Sequence, residues 1–354
     1  MQTAAIAAAA PFAGAGALGQ SPNKKLGVAL CGLGGLSTKQ LAPALQKTSR
    51  CRLAGIVTGS PDKAVQWKAK YDLPDRSIYS YDTMAKMADN PDIDIVYVVT
   101  PNALHLEHAT QAASAGKHVF CEKPMEISVE RCQRMIDACK KADRLLGVGY
   151  RCQFEPHNLE CMRIAREKEL GEVKVIEGGF GFPVGDPDQW RLKRDLSGGG
   201  ALMDVGIYVL QATRYITGEE PILVSAIETK TDLKKFAEVD ESIMWTAKFP
   251  SGVVAYCGTT FGAFGMHHFN VHTDQGLFGL KPAFFYGGIK GYRSDGKPLE
   301  FPQVDQFAAE MDDFARCIQE RTPTKVSGEE GLQDVKILTA IYESARTGRE
   351  VKPG

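Results

Sequence analysis

The chain has 354 residues, 44% of them apolar and 24% charged, with 42 basic against 43 acidic side chains. That composition belongs to an ordinary globular chain long enough for two cores. The balance of charge leaves no long-range field for a polyanion or an anionic bilayer, so neither nucleic acid nor membrane is expected as a partner and a small-molecule ligand is.

Residues 3–19, TAAIAAAAPFAGAGALG, are small and apolar with no charge before Lys24. They have the character of the apolar core and cleavage end of an export signal, without its basic start. The expectation is a signal-like or disordered arm over residues 1–23 and a periplasmic location, with a cytoplasmic one as the alternative. The segment is too short and too broken by Gly and Pro to span a bilayer. The nine cysteines show no C-x-x-C pair or zinc spacing, and Cys31, Cys121 and Cys139 sit in apolar patterns. Buried free thiols are expected, not a disulfide framework.

At residues 26–37, LGVALCGLGGLS, an apolar run long enough for one buried strand stops at a glycine-rich turn and passes into a helical segment. Gly32 and Gly34, with Leu33, Gly35 and Leu36 between and after them, permit the tight turn and close backbone approach that a pyrophosphate at a helix N-terminus requires. The third motif position is Ser37 in place of Gly or Ala, so the motif alone is weak. The next strand, RLAGIV (52–57), leads into TGSPDKAVQW, where Ser60 is a good N-cap and Pro61 a good first helical residue. Thr58 stands where an acidic side chain would accept from a ribose 2′-hydroxyl. With Gly59, Ser60 and Lys63 it offers neutral donors and a cation instead, which predicts NADP(H); Asp62 is the discordant charge.

DIDIVYVVT, HVFCEK and LLGVGY continue as strands separated by helical segments, which means βαβ units and a parallel sheet over residues 24–150. A ligand of such a sheet lies at the carboxyl ends of its strands, and that rule singles out Thr100-Pro101-Asn102, Glu122-Lys123-Pro124 and Tyr150-Arg151. Beyond residue 150 the pattern changes. VKVIEGGFGF, PILVSAIETKT, SIMWTAKF, GVVAYCGTTFG and HHFNVHT have strand character with short Gly or Pro turns, and helical stretches cover residues 200–217, 305–321 and 331–346. The expected class is α/β: a dinucleotide-binding Rossmann domain followed, over residues 151–354, by an α+β domain with an open, mostly antiparallel sheet that helices can cover on one face, leaving the other for a partner subunit or a ligand.

In GGGALMDVGIYVLQATRY (198–215), Asp204 and Tyr208 are four residues apart in a helical pattern, which stacks a carboxylate and a phenol on one face. A phenol needs a nearby cation to work as a base near neutrality, and Lys123 at a strand mouth is the candidate. Each of the three also has a plain reading, as a capping pair and a solvated lysine. His267, His268 and His272 do not suggest a metal, because neighbouring strand residues point to opposite faces. Phe284-Phe285-Tyr286 reads as packing with Tyr286 able to reach a ligand, and Ser197–Gly200 as a flexible access loop more than an anion site.

The motifs GLGGLS, TGSPDKA, VVTPNALH, AGKHVFCEKPM, GYRCQFEPHN, QWRLKRDLSGGGALMDVGIYVLQATRY and GEEGLQDVKILTAIYESARTGR together resemble the glucose–fructose oxidoreductase family, from about Lys24 to the C-terminus. The resemblance implies a Rossmann domain joined to an open-faced sheet used for dimerisation, hence a homodimer. It implies Lys123, Asp204 and Tyr208 as the catalytic set and Thr58, Ser60 and Lys63 as the holders of the NADP phosphate and ribose. Pro101, Asn102, His105, Glu122, Arg151, Trp190 and Arg191 match positions lining the cofactor or nicotinamide pocket, and Lys123, Arg151, Asp204, Tyr208 and Tyr286 are the expected substrate contacts. The family's activity is sugar oxidoreduction: a tightly held NADP(H) takes hydride from C1 of an aldose, giving a lactone, and returns it to a second sugar, giving an alditol. Gln153-Phe154-Glu155 and the short chain ends depart from the family pattern, and a relative acting on two aldoses fits at least as well as one using fructose. The alternatives are a simple NADP-dependent aldose, polyol or dihydrodiol dehydrogenase and a sugar-sensing regulator on the same scaffold. The intact Lys123, Asp204 and Tyr208 set speaks against the regulator.

Overall fold

A computed structural model describes residues 24–354. The signal-like segment, and the periplasmic location inferred from it, lie outside the described residues. The first apolar run becomes β1 (Leu26–Cys31), buried along its whole length as a central parallel strand must be. With β2 (Cys51–Val57), β3 (Ile78–Tyr79), β4 (Ile95–Val98), β5 (His118–Cys121) and β6 (Leu146–Val148) it forms a parallel sheet in the order 3-2-1-4-5-6, the Rossmann arrangement. The crossovers carry α1 (Ala42–Leu45), entered through a π-helical turn at Ser37–Leu41, then α2 (Pro61–Tyr71), α3 (His105–Ser114) and α4 (Val129–Lys141). Ser60 and Ser128 cap α2 and α4, each accepting from the backbone N–H three residues on.

The second sheet contains β7 (Val173–Gly181), β8 (Leu223–Thr229), β9 (Ser242–Lys248), β10 (Val254–Thr260), β11 (His267–Thr273), β12 (Leu277–Leu280) and β13 (Gly291–Arg293). Its order is 13-12-11-7-10-9-8, and every neighbouring pair is antiparallel except β7 with β10. The chain reaches it through α5 (Pro156–Arg166), and α6 (Arg194–Ser197) and α7 (Ile207–Thr217) interrupt it. One face packs against α5, α7 and the final helix, which follows α8 (Gln306–Glu320) as α9 (Gly328–Thr347). The other face is open: Ile227, Met244 and Tyr256 are exposed while their strand neighbours Ala226, Trp245 and Ala255 are buried, the alternation of a half-covered sheet.

Although α8 follows the second sheet in sequence, it lies on the first. The Asp312 carboxylate accepts from the backbone N–H groups of Ser49 and Arg50, and the ring of Phe314 is 4.8 Å from that of Phe120 on β5. All nine cysteines are free and buried. Burial holds thiols such as Cys31 and Cys257 in the neutral form.

Candidate active site

A cavity of about 530 Å³ opens at the carboxyl ends of the first sheet, roofed by the second domain. Just after β1, Gly32 turns the chain at φ +99°, where a Cβ would press on the Val99 backbone. Gly34 and Gly35 have nothing within 4 Å of where a Cβ would stand, so the backbone at the start of the first helix lies open to the cavity. Ser37, at the third motif position, is fully buried and donates its hydroxyl to the Gly32 carbonyl, so it ties the turn down in place of a third glycine. At the end of β2, Thr58 Oγ1 accepts from the Ser60 N–H, and Lys63 Nζ reaches back to the Leu33 carbonyl at 3.2 Å. Neutral hydroxyls and one cation therefore stand beside the glycine turn with Gly59 between them. This constellation fits a dinucleotide carrying a 2′-phosphate, the pyrophosphate at the helix start and the phosphate at Thr58, Ser60 and Lys63.

Deeper in, Lys123 follows β5 and precedes a cis peptide to Pro124. Its ammonium donates to the Asp204 carbonyl at 2.6 Å and to Asp204 Oδ1 at 3.2 Å, while Arg191 Nε donates to Asp204 Oδ2 at 3.1 Å. Burial pushes the Asp204 carboxyl up, but Arg191 and Lys123 outweigh it and hold the group below the usual carboxylate range. Trp190 lies under the Arg191 guanidinium at 4.6 Å. The helical pattern expected from residue 200 begins with a π-helical turn over Leu202–Gly206, and α7 follows; Asp204 on that turn and Tyr208 on α7 both line the cavity.

The cation on the Tyr208 hydroxyl is not Lys123, as the sequence suggested, but Arg151. Arg151 follows β6 and donates from Nε to Tyr208 Oη at 3.2 Å, whereas Lys123 Nζ lies over the ring, 4.9 Å from its centre. Arg151 is 2% exposed. It is fixed by the carbonyls of Phe284 and Phe285 and by Gln306 Oε1, and its Cζ lies over the rings of both Tyr208 and Tyr286, at 4.6 and 4.7 Å from their centres. Burial drives the Tyr208 phenol far above its ordinary value, and Arg151 opposes that shift without reversing it. Tyr208 is therefore protonated at neutral pH. Because Arg151 already occupies one lone pair of the hydroxyl, the phenolic proton is directed elsewhere.

Residues 26–150 match the profile of an oxidoreductase family with an NAD-binding Rossmann fold, and residues 159–278 match the GFO/IDH/MocA C-terminal domain. The chain belongs to the GFO/IDH/MocA family. Among the relatives of this family member is a D-xylose 1-dehydrogenase [NADP(+)] of Haloarcula marismortui, 33% identical over 333 residues and 92% of each chain. A second D-xylose 1-dehydrogenase (NADP(+)), from Haloferax volcanii, is 29% identical over 91% of this chain and 98% of its own. The solved structure of an aldose-aldose oxidoreductase from Caulobacter crescentus, complexed with glycerol, is 42% identical and superposes with a TM-score of 0.90 over 93% of this chain and 100% of that one. The protein is thus an NAD(P)-dependent sugar oxidoreductase.

Of the residues singled out from the sequence, Gly34, Gly35, Leu36, Thr100, Asn102, Glu122, Lys123, Arg151, Trp190, Arg191, Asp204, Tyr208 and Tyr286 line the one cavity. His105 does not. It is fully buried with its ring nitrogens against the carbonyls of Thr100, Pro124 and Met125, where it buttresses the turn that carries Lys123. Pro101 shapes the turn into α3 without reaching the cavity wall. The Ser197–Gly200 segment is not a loose loop: the N–H groups of Gly200 and Leu202 bind the buried Asp240 carboxylate, so the chain supplies its own anion there. Sequence reading missed Gln306, Phe180 and Phe182. Phe180 and Phe182 project from and just beyond β7 to give the cavity an aromatic wall with Phe284 and Phe285, and no motif marked them.

Proposed function

We propose that the protein is an NADP(H)-dependent aldose oxidoreductase that oxidises one sugar at C1 to an aldonolactone and reduces a second to an alditol on the same retained cofactor. The observation that carries this reading is the meeting, in one aromatic-walled cavity beside a dinucleotide turn, of Lys123, Asp204, Tyr208 and Arg151. A nicotinamide dinucleotide bound there supplies the hydride acceptor and donor. Thr58, Ser60 and Lys63 hold its 2′-phosphate, and the backbone at Gly34 and Gly35 its diphosphate.

Tyr208 takes the proton of the C1 hydroxyl in oxidation and gives one to the carbonyl oxygen in reduction. Its resting, protonated form is the one that reduction needs. In oxidation, Arg151 at the hydroxyl and Lys123 over the ring lower the cost of the phenolate. Lys123 stabilises the sugar oxyanion, Asp204 orients the sugar hydroxyls while holding Lys123 and Arg191 in place, and the aromatic wall excludes water and stacks against the apolar face of a pyranose. Tyr286 closes the cavity over Arg151.

We also propose a homodimer through the open face of the second sheet, where Ile227, Met244 and Tyr256 stand exposed on adjacent strands. A second enzymatic reading, a dehydrogenase releasing NADPH at each turnover, is favoured by the similarity to the xylose dehydrogenases. One experiment separates the two. Purified protein is incubated with glucose and no added cofactor: retained nicotinamide absorbance with formation of both lactone and alditol supports recycling, whereas turnover only on addition of NADP+ supports the dehydrogenase.

A further inference from the structure

Behind the cavity, the hydroxyl of Tyr97 on β4 touches two carboxyl groups, Glu122 Oε1 at 2.8 Å and Glu310 Oε1 at 2.9 Å. A phenol has one proton and donates one hydrogen bond. Two ionised carboxylates would leave one of these contacts as oxygen lone pair against oxygen lone pair, in a site where Tyr97 and Glu310 are fully buried and Glu122 is 7% exposed. A second proton is needed, and a buried carboxyl is where it resides. We propose that Glu310 is a positioning residue that carries this proton as a carboxylic acid, donating to Tyr97 Oη while Tyr97 donates to an ionised Glu122, so that the charge beneath Lys123 is fixed at minus one.

The surroundings assign the proton to Glu310. Glu122 lies nearest the cations: burial raises its carboxyl too, but it accepts from the Lys123 backbone N–H at 3.3 Å, and the charges of Lys123 and Arg151 both oppose that rise in favour of its ionised form. Burial and, next, the negative charge of Glu122 raise the Glu310 carboxyl well above the usual carboxylate range; Arg151 opposes that shift and Asp305 adds to it, and the thiols of Cys121 and Cys152 nearby are neutral. Its second oxygen, Oε2, is buried with no partner, a cost that is small for the carbonyl of an acid and large for an anion. The site is shaped for this bridge. A Cβ on Gly149 would stand 3.0 Å from Tyr97 Oη and 3.1 Å from Glu122 Oε1, and the glycine leaves that space clear. One turn before Glu310 on α8, Gln306 holds Arg151, so a single helix face sets both groups behind Tyr208. Loss of the shared proton at alkaline pH would add a second negative charge below Tyr208 and disfavour its phenolate, since Glu122 already opposes that form.

The full-length protein, compared with Glu310→Gln and Tyr97→Phe, tests this by infrared spectroscopy across pH. The expected result is the carbonyl band of one protonated buried carboxyl at neutral pH, lost in Glu310→Gln and displaced in Tyr97→Phe, with thermal melting to show that both variants fold. Absence of such a band, or a band unchanged in both variants, overturns the proposal. If Glu310→Gln fails to fold, the Tyr97→Phe displacement alone decides. A second arm rests on the proposed sugar activity. Turnover should fall at alkaline pH with the midpoint at which the band disappears, and Glu310→Gln should move that fall upward by about one pH unit or more; an unmoved midpoint overturns the positioning role. The infrared arm needs no substrate, so a protein inactive on sugars would sink only the assigned activity.

Discussion

Arg151 donates to the Tyr208 hydroxyl at 3.2 Å and at the same time lies over that ring, with its charge centre 4.6 Å from the ring centre. One side chain therefore favours the phenolate twice, through the oxygen and through the π face, and the aliphatic cation Lys123 is left free for Asp204 and for substrate.

Removing the phenolic oxygen alone should abolish proton transfer and little else. Tyr208→Phe is expected to lower kcat on sugar by about 10²- to 10⁴-fold, with cofactor and sugar binding kept. Steady-state rates beside calorimetric binding check this, and full turnover in the variant would refute the role given to Tyr208.

Arg151→Met should strike both catalysis and stability. The change leaves the Phe284 carbonyl and Gln306 Oε1 without their buried donor, at about 1–3 kcal/mol for each orphaned group, while the Phe285 carbonyl keeps Gln306 Nε2. It also removes a cation from the phenol, so the pH at which oxidation speeds up should rise. A melting curve and a pH–rate profile of the oxidative half-reaction read the two effects separately.

Cofactor choice should hinge on the end of β2. Thr58→Asp places a carboxylate beside Ser60 and Lys63, where it repels a 2′-phosphate and accepts from a 2′-hydroxyl. Affinity for NADP is expected to drop by about tenfold or more, that is about 1.4 kcal/mol, with NAD gaining. Titration of the variant with both dinucleotides shows whether the preference turns.

Two histidines of the Rossmann domain predict an acid-sensitive fold. His118 Nδ1 accepts from the Leu145 N–H, which requires a bare nitrogen, and His108 is packed against the Tyr81 ring at 4.6 Å. Burial lowers both to about 4 from an ordinary value of 6.5. Between those values the unfolded chain binds protons that the folded chain refuses, so stability is complete above pH 6.5 and declines as pH falls towards 4. The melting temperature should follow that curve, and replacing both with Gln should flatten it.

If the open sheet face joins two copies, Ile227→Asp with Met244→Asp should yield monomers in light scattering while cofactor affinity holds. A species of unchanged mass would place the contact elsewhere.

The strands and the glycine turn were legible because a buried parallel strand leaves a run such as Val28–Cys31 and a turn leaves glycines. Short edge strands such as Ile78–Tyr79 and Gly291–Arg293 were not, since two or three residues carry no period. The Lys123, Asp204 and Tyr208 cluster was readable from motif and spacing, but the partner of the phenol was not. Arg151 reaches Tyr208 because the backbone carbonyls of Phe284 and Phe285 and a glutamine 155 residues away hold it there, and such long-range contacts leave no local pattern. His105 misled for the same reason: its side chain is turned inward onto backbone carbonyls.

The return of α8 to the first sheet has a consequence for how this protein could be dissected. A fragment ending near Tyr150 would lose the side chain that binds the Ser49 and Arg50 amides and the ring that covers Phe120. The nucleotide half is thus no cassette to be exchanged for another by a cut at its boundary. A chimera that keeps the fold must splice in α8 from the same parent as β1 to β6, and one that does not should emerge as an insoluble product.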